Sequence, residues 1–204
     1  MKMKPEQDKK EKYNAILNAA DSIMQEEGLE SLRISKVARK AKVAKGTVYL
    51  YFNDKEEIIG NLAIRARKLM LQYFYKYIES EKHPIDKIKG IFLADYYYFK
   101  EQQAYHQLIT FYEQNTGLKE SGELAETGQA ISRYINSVVE EAIKSKAIRQ
   151  DIDSDALTFM FWGMAIGIIQ LVETRNQQLK SYLGKSGKEF YDLFVHTTVE
   201  GLTN

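Results

Sequence analysis

The chain of 204 residues has no cysteine and only two prolines, Pro5 and Pro84. The lack of cysteine excludes disulfides, thiolate nucleophiles and cysteine-ligated zinc sites. Because proline interrupts helices, its scarcity favours long helices joined by short connections. Histidine is also scarce, and His83, His106 and His196 do not fall at a metal-ligand spacing. We therefore expect an all-α protein that needs no metal and no other cofactor.

Motifs of the common catalytic classes are missing as well. The chain has no G-x-x-x-x-G-K-[ST] phosphate loop and no G-x-S-x-G nucleophile elbow, so we expect no enzymatic activity. Its N-terminal segment is charged and lacks the apolar core of a signal peptide. The longest apolar run, residues 156–172, has 17 residues, fewer than the roughly 20 of a membrane span. We expect a cytoplasmic protein in which this run is a helix at a protein interface.

Positive charge is concentrated near the N-terminus. The whole chain carries only +1, but residues 32–55 hold seven bases and one acid, a local charge of 7 − 1 = +6. Residues 1–55 carry 12 − 8 = +4, and residues 56–204 carry 17 − 20 = −3. Such concentration beside aromatic residues is typical of a nucleic-acid-binding surface. The sequence predicts a DNA-binding head at residues 1–55, with a flexible arm at 1–11, and a separate body at 56–204.

Apolar residues recur at helical spacing along the chain. In the head, a helix from Tyr13 ends at Gly28, which we expect to be a left-handed cap, and two short helices follow. Two short helices joined by a tight turn behind a supporting helix form a helix-turn-helix. A long helix then joins the head to a larger helical body. The helices expected after the first are 35–42, 44–52, 55–80, 84–103, 104–116, 121–147, 154–180 and one from 186.

Helix starts are marked by two capping boxes, Asp54 with Glu57 and Ser186 with Glu189. In each pair the first side chain accepts a bond from the backbone of the second, and the second side chain reaches back.

The second short helix carries the groups suited to DNA. Lys45, Gly46 and Thr47 stand at its N-terminal end, where free backbone N–H groups attract phosphate. Gly46 permits close backbone approach, and Thr47 can bond to a base edge or touch a thymine methyl. Tyr49 and Tyr51 can direct hydroxyls to DNA or pack within the head, and both alternatives stay open.

Other positions of this helix have simpler expectations. Val48 and Phe52, four residues apart, are expected to face inward, whereas Leu50 can face either way. Lys55, at the start of the long helix, adds a phosphate anchor.

Three segments together resemble the TetR family of bacterial transcriptional regulators. They are ISKVA at 34–38, AKVAKGTVYLYF at 41–52 and KEE at 55–57, within a resemblance that covers residues 10–60. AIRQDID at 147–153 is weakly similar to a C-terminal pattern of the family. The resemblance implies a homodimeric repressor or activator that binds a palindromic operator in double-stranded DNA and is released by a small ligand.

The resemblance also implies that residues of the second short helix contact DNA. With the neighbouring polar positions, the predicted contacts are Arg33, Ser35, Lys36, Lys42, Lys45, Gly46, Thr47, Tyr49, Tyr51 and Lys55. Three positions depart from the family pattern. Arg33 and Ala44 replace frequent hydroxyl residues, and Lys42 replaces a frequent turn glycine and is expected to need a positive φ.

The middle of the body is rich in aromatic residues. Tyr98, Tyr105 and Tyr112 are seven apart and share a face if one helix continues through them. Buried tyrosines need hydrogen-bond partners, so an aromatic cavity could bind an apolar or amphipathic effector. The predicted pocket residues are Tyr97, Tyr98, His106, Tyr134 and Trp162. The alternative is that they only fill a core.

The last two helices are predicted to form the homodimer interface, because glycines allow close helix approach. The predicted interface residues are Gly163, Gly167, Phe190, Phe194, Thr197 and Gly201. An ordinary intramolecular core is the alternative. Two rival functions also remain: a constitutive DNA-binding or nucleoid-associated protein without a ligand, and a soluble lipid-binding protein or enzyme with an incidental basic face.

Overall fold

The computed structural model describes residues 5–115 and 121–203. Within these ranges the chain forms nine α-helices and one 3-10 turn and no strand, so the all-α prediction is confirmed. The elements are α1 Pro5–Glu27, the 3-10 turn Leu29–Ser31, α2 Ile34–Lys40, α3 Lys45–Tyr49, α4 Lys55–Ile78, α5 Pro84–Glu101, α6 Gln103–Gln114, α7 Gly122–Lys144, α8 Ser154–Leu183 and α9 Gly187–Thr203. Residues 1–4 of the predicted arm and the predicted helix end at 116 lie outside the described residues.

The helices divide into two compact units. Unit 1 comprises the chain up to Lys68 together with Gln103–Thr127, and unit 2 comprises Leu69–Gln102 and the chain from Gly128 onward. The compact N-terminal unit therefore extends past the boundary predicted at residue 55. It does so because the first part of α4 and all of α6 pack with α1. The functional boundary at residue 55 stays a prediction.

The core of unit 1 supports the two short helices. Ile16, Ala20 and Ile23 of α1 are fully buried, as is Val48 of α3. Phe52, which follows α3, is also buried, and its ring stacks on that of Tyr13 with centroids 4.9 Å apart. The inward orientation predicted for Val48 and Phe52 is confirmed, and it fixes which face of α3 points outward.

The end of α1 differs slightly from the expectation. Gly28 donates its N–H to the carbonyl of Met24 at 2.9 Å and has φ 82° and ψ 163°. The positive φ was expected, but ψ lies outside the left-handed helical region because the chain turns directly into the 3-10 segment.

The two predicted capping boxes form to different extents. At α9, Ser186 N–H donates to the Glu189 carboxylate at 2.7 Å and Glu189 N–H donates to Ser186 Oγ at 3.2 Å, so this box is confirmed. At α4, Glu57 N–H donates to Asp54 Oδ1 at 2.7 Å. The Glu57 carboxylate, however, accepts from Asn53 N–H at 2.7 Å, one residue before the predicted donor.

The aromatic stripe predicted along one continuous helix is interrupted. Gln102 has φ −129° and ψ 48°, which are not helical values, so α5 ends before it and α6 starts as a separate helix. Tyr98 therefore belongs to unit 2, whereas Tyr105 and Tyr112 belong to unit 1. The three rings do not share one helical face.

The core of unit 2 is built from aromatic rings. Phe92 is fully buried, and its ring centroid lies 5.1 Å from that of Phe161 and 5.4 Å from that of Phe194. Tyr191, also buried, donates its hydroxyl to the carbonyl of Phe92 at 2.8 Å. Burial raises the pKa of Tyr191, so this hydroxyl stays protonated and keeps donating.

Candidate nucleic-acid interface

A tight turn places α3 after α2. The N–H of Ala41 bonds to the Val37 carbonyl at 2.8 Å, and that of Val43 bonds to the Ala38 carbonyl at 3.0 Å. Between them Lys42 has φ 56°, as expected for a lysine at a turn position suited to glycine. The Lys42 side chain is exposed. The turn thus presents a cation at the cost of backbone strain.

The N-terminus of α3 is a weaker phosphate-binding site than the sequence predicts. Ala44 occupies the N-cap position and makes no side-chain cap bond. The helix has only five residues, so few peptide dipoles add together. Attraction of phosphate to this end therefore depends mainly on the lysine side chains.

The outward face of α3 is open. Lys45, Gly46, Tyr49 and Leu50 are exposed, with exposed fractions of 48% for Tyr49 and 79% for Leu50. Thr47 is half-buried, and so is Tyr51. Of the two tyrosines left open by the sequence, Tyr49 is clearly available to a partner and Tyr51 only in part.

Gly46 is not required by the fold. A Cβ built at this position meets no atom within 4 Å, and its φ is not positive. A glycine inside a helix costs about 0.5–1 kcal/mol relative to alanine. Nothing within the described chain offsets that cost, which points to a close approach by an external partner.

Several cations in the segments before and after α3 have no acidic partner among the described residues. Among the described residues, Arg33, Lys42 and Lys55 form no ion pair with a carboxylate. Lys45 lies 5.9 Å from the ring centre of Tyr49. Charges that are not neutralised within the protein remain available to phosphates.

The lysines of α2 are placed differently. Lys36 pairs with Glu27, and Lys40 pairs with Glu26 at 2.7 Å. The bond from Lys40, followed by one from Ser22, holds the pKa of Glu26 below its usual value. Lys36, a predicted DNA contact, is thus already ion-paired in the free protein. Ser35 beside it is exposed.

The five residues predicted to bind an effector are divided between the two units. Tyr98 is fully buried with its ring 5.4 Å from that of Tyr73, and Tyr97 stacks on Tyr77 at 5.1 Å. Trp162 is 50% exposed. These three lie in unit 2.

The other two predicted effector residues, Tyr134 and His106, belong to different units. Tyr134, in unit 2, meets the ring of Tyr75 at 4.7 Å, and burial raises its pKa to about 12. His106 lies in unit 1, where burial lowers its pKa to about 4.

Clefts occur elsewhere in each unit. One of about 1050 Å³ in unit 1 borders the start of α4 and the end of α6, and its lining includes Asp54, Gly60 and Tyr112. One of about 490 Å³ in unit 2 lies at the end of α7, beside Asp151. None of the five predicted effector residues lines either cleft.

The first half of α8 has an apolar face that its own unit leaves open. Phe159 is 68% exposed and Met160 51%, and a Cβ at Gly163 or Gly167 would meet no atom within 4 Å. Buried Leu157 marks the opposite face. The prediction did not include Phe159 and Met160, although Phe159, Gly163 and Gly167 recur every four residues.

Two further observations concern the predicted interface. Phe194 is half-buried against Phe92 and Phe190 is half-buried, whereas Thr197 and Gly201 are exposed.

Among the described helices, α8 alone is long and apolar enough to cross a membrane, and 28% of its most apolar stretch is buried.

Residues 16–62 match the family described as bacterial regulatory proteins, tetR family. An uncharacterized HTH-type transcriptional regulator of Haemophilus influenzae is 29% identical over 52% of this chain, a stretch equal to 56% of that relative's length. A fatty acid metabolism regulator protein of Bacillus subtilis is 27% identical over 76% of this chain and 80% of its own.

Solved structures share the whole fold. A protein of unknown function from Rhodococcus sp. RHA1 has a TM-score of 0.80 at 18% identity, over 95% of this chain and 96% of that one. AibR in complex with isovaleryl coenzyme A and operator DNA has a TM-score of 0.63 at 17% identity, over 91% and 97%.

The tight turn between α2 and α3, the buried inner face of α3 and its open cationic outer face define a helix-turn-helix DNA-binding regulator of transcription. The matched residues 16–62 span this same region. Residues 16–62 thus form the DNA-binding region of the TetR family of bacterial transcriptional regulators.

Proposed function

We propose that this protein is a dimeric cytoplasmic repressor that binds a palindromic operator and is released by a small amphipathic ligand. The observation that carries the DNA half is the outward face of α3, where Gly46 has no role within the fold. Around it, Arg33, Lys42 and Lys55 have no carboxylate partner among the described residues. The exposed backbone at Gly46 can be approached by a base pair, and the cations without carboxylate partners can bind phosphates, so this face of α3 suits the major groove.

Dimerisation is supported by the open face of α8. Isolated apolar side chains on a surface are ordinary, but Phe159, Met160 and Trp162 lie together beside two uncovered glycines. A second copy would cover them by close helix packing, and it would bring two α3 helices to half-sites about 34 Å apart. We therefore propose that a second copy of the chain, and not a membrane, covers this face of α8.

The effector class is suggested by the named relatives. One is a fatty acid metabolism regulator, and AibR was solved with isovaleryl coenzyme A. We therefore propose an acyl thioester or a related amphipathic acyl compound as the effector. Its binding would favour a conformer whose two α3 helices no longer match both half-sites together. The named relatives are regulators, which agrees with the absence of an enzymatic role in this proposal.

The DNA half is tested by selecting duplexes that the full-length protein binds from a random pool and measuring affinity by gel shift. Lys45→Ala should weaken every duplex and reduce the salt slope by about one. Thr47→Ala should change the preferred bases instead. If both variants lose affinity equally for selected and random DNA, the proposed roles are wrong.

The proposed release from DNA by an effector is tested with the same selected duplex. An acyl coenzyme A should release the protein and raise its melting temperature, whereas coenzyme A alone should do neither. The rival, constitutive DNA binding, is favoured by the complete burial of Tyr98 against Tyr73. Binding that no acyl compound in a chain-length series disturbs would support that rival.

A further inference from the structure

Leu50 is the most exposed large apolar side chain among the described residues of unit 1, at 79%, ahead of Tyr49 at 48% and Phe111 at 37%. A single exposed leucine on a protein surface needs no explanation. The exposure of Leu50 is significant because of its position on the outward face of α3.

Leu50 lies at the centre of the outward face of α3. Its φ of −75° and ψ of −18° continue the helical turn, so each residue advances about 100° around the axis. On that wheel the buried Val48 and Phe52 flank one direction, and Leu50 points about 180° away from their midpoint.

Gly46, four residues earlier, lies beneath Leu50 on the same face. Side chains on a helix lean back over the preceding turn, so Leu50 extends over a residue that has no side chain. A Cβ at Gly46 would meet nothing within 4 Å. The outward face of α3 therefore presents an exposed aliphatic side chain above bare backbone.

The surroundings identify the partner. Lys45 lies 5.9 Å from the ring centre of Tyr49, the residue before Leu50. Lys42, in the turn before α3, has no carboxylate partner among the described residues. An apolar protein surface would have to desolvate these cations, whereas a duplex supplies phosphates for them. In the major groove the apolar group on a base edge is the C5-methyl of thymine.

We propose that Leu50 reads one thymine in each operator half-site by apolar contact with its C5-methyl group. The inference rests on the DNA-binding function proposed above and adds a specificity-determining residue to it. Thr47 can bond to a base edge through its hydroxyl or touch a thymine methyl, whereas Leu50 can offer only an apolar contact. Comparing the effect of the thymine methyl group in wild type and in Leu50→Ala therefore separates the two contacts.

The experiment uses the full-length protein and an operator selected from a random duplex pool. Each thymine is replaced in turn by uracil, which removes the methyl group and leaves the hydrogen-bonding edge unchanged. Wild-type affinity should fall about three- to fivefold at one position per half-site, the loss expected for one buried methyl group. Leu50→Ala should bind the thymine and uracil operators equally, and Leu50→Met should restore a preference for thymine.

Three outcomes would overturn the inference. One is a uracil penalty that is the same in wild type and Leu50→Ala, and another is a selected operator in which no replacement of thymine by uracil lowers wild-type affinity. A third is a shift of Leu50→Ala to monomer in sedimentation, which would place Leu50 at a protein contact. If no sequence is selected at all, the DNA-binding proposal fails as well, so the two failures can be told apart.

Discussion

Tyr105 of α6 donates its phenolic hydroxyl to the carboxylate of Asp21 in α1, with an O–O distance of 2.6 Å. The same carboxylate oxygen accepts from Arg65 of α4 at 2.6 Å. Burial, followed by the bond to Asp21, raises the pKa of Tyr105, so its proton is retained. One carboxylate thus joins three helices of unit 1, and its other oxygen is buried without a partner among the described residues.

Tyr105→Phe should destabilise the protein by about 1.5–3 kcal/mol, because it removes a hydrogen bond to a charged acceptor in a buried setting. Urea denaturation followed by circular dichroism measures this loss. The matched control is Tyr13→Phe, whose hydroxyl bonds to the neutral Asn61 at 2.6 Å and should cost about 0.5–1.5 kcal/mol. Equal losses in the two variants would show that the charge of Asp21 adds nothing.

Lys42→Gly should stabilise the fold by about 0.5–1 kcal/mol while weakening DNA binding. Relief of the left-handed backbone exceeds the extra chain entropy of glycine, and a phosphate-facing cation is lost. Thermal unfolding and a salt titration of gel shifts measure the two effects. Lys146→Gly, at φ 59° in unit 2, should stabilise without changing DNA affinity. A loss of stability in both variants would mean that neither turn is strained.

Gly167→Leu should convert the proposed dimer to a monomer without unfolding it, since a Cβ at this position meets no atom within 4 Å. Analytical ultracentrifugation reports the mass, and circular dichroism checks the helices. Gly122→Leu, at an equally open position at the start of α7, is the control and should remain dimeric. A dimer that tolerates Leu at Gly167 would place the interface elsewhere.

The stability of the protein should fall as the pH is lowered from about 6.5 to about 4, in part because of His106. Burial lowers its folded-state pKa to about 4, so in this window the unfolded state binds a proton that the folded state does not. The contribution is fully present above pH 6.5 and is lost toward pH 4, amounting to about 2–3 kcal/mol.

Urea denaturation at a series of pH values tests this expectation. His106→Asn should show a flatter pH dependence than wild type. Exposed His83 provides the control, and His83→Gln should keep the wild-type slope. Parallel curves for wild type and His106→Asn would show that His106 is protonated equally in both states.

The predictions from sequence were most accurate where local rules decide. Helical spacing placed the long helix at 55–80, against Lys55–Ile78 in the structure, and the box at Ser186 and Glu189 forms as expected. The positive φ of Lys42 was also expected. Each of these features depends on interactions within a few residues.

Contacts between distant segments could not be predicted from the sequence by these local rules. No local pattern indicates that Glu27 pairs with Lys36, or that Tyr98 is buried in unit 2 while His106 belongs to unit 1. The break at Gln102 separated tyrosines that a continuous helix would have aligned. Pairing and burial of this kind depend on how helices pack, which periodicity does not specify.

By itself the sequence determined an all-helical chain and a basic helix-turn-helix near the N-terminus, because these follow from local spacing and charge, and its motifs showed the resemblance to the TetR family. The tertiary structure alone decided that Leu50 is largely exposed and that α6 belongs with α1 through Tyr105 and Asp21. Exposure and long-range bonds are properties of packing, and packing brings together residues 84 positions apart in the chain.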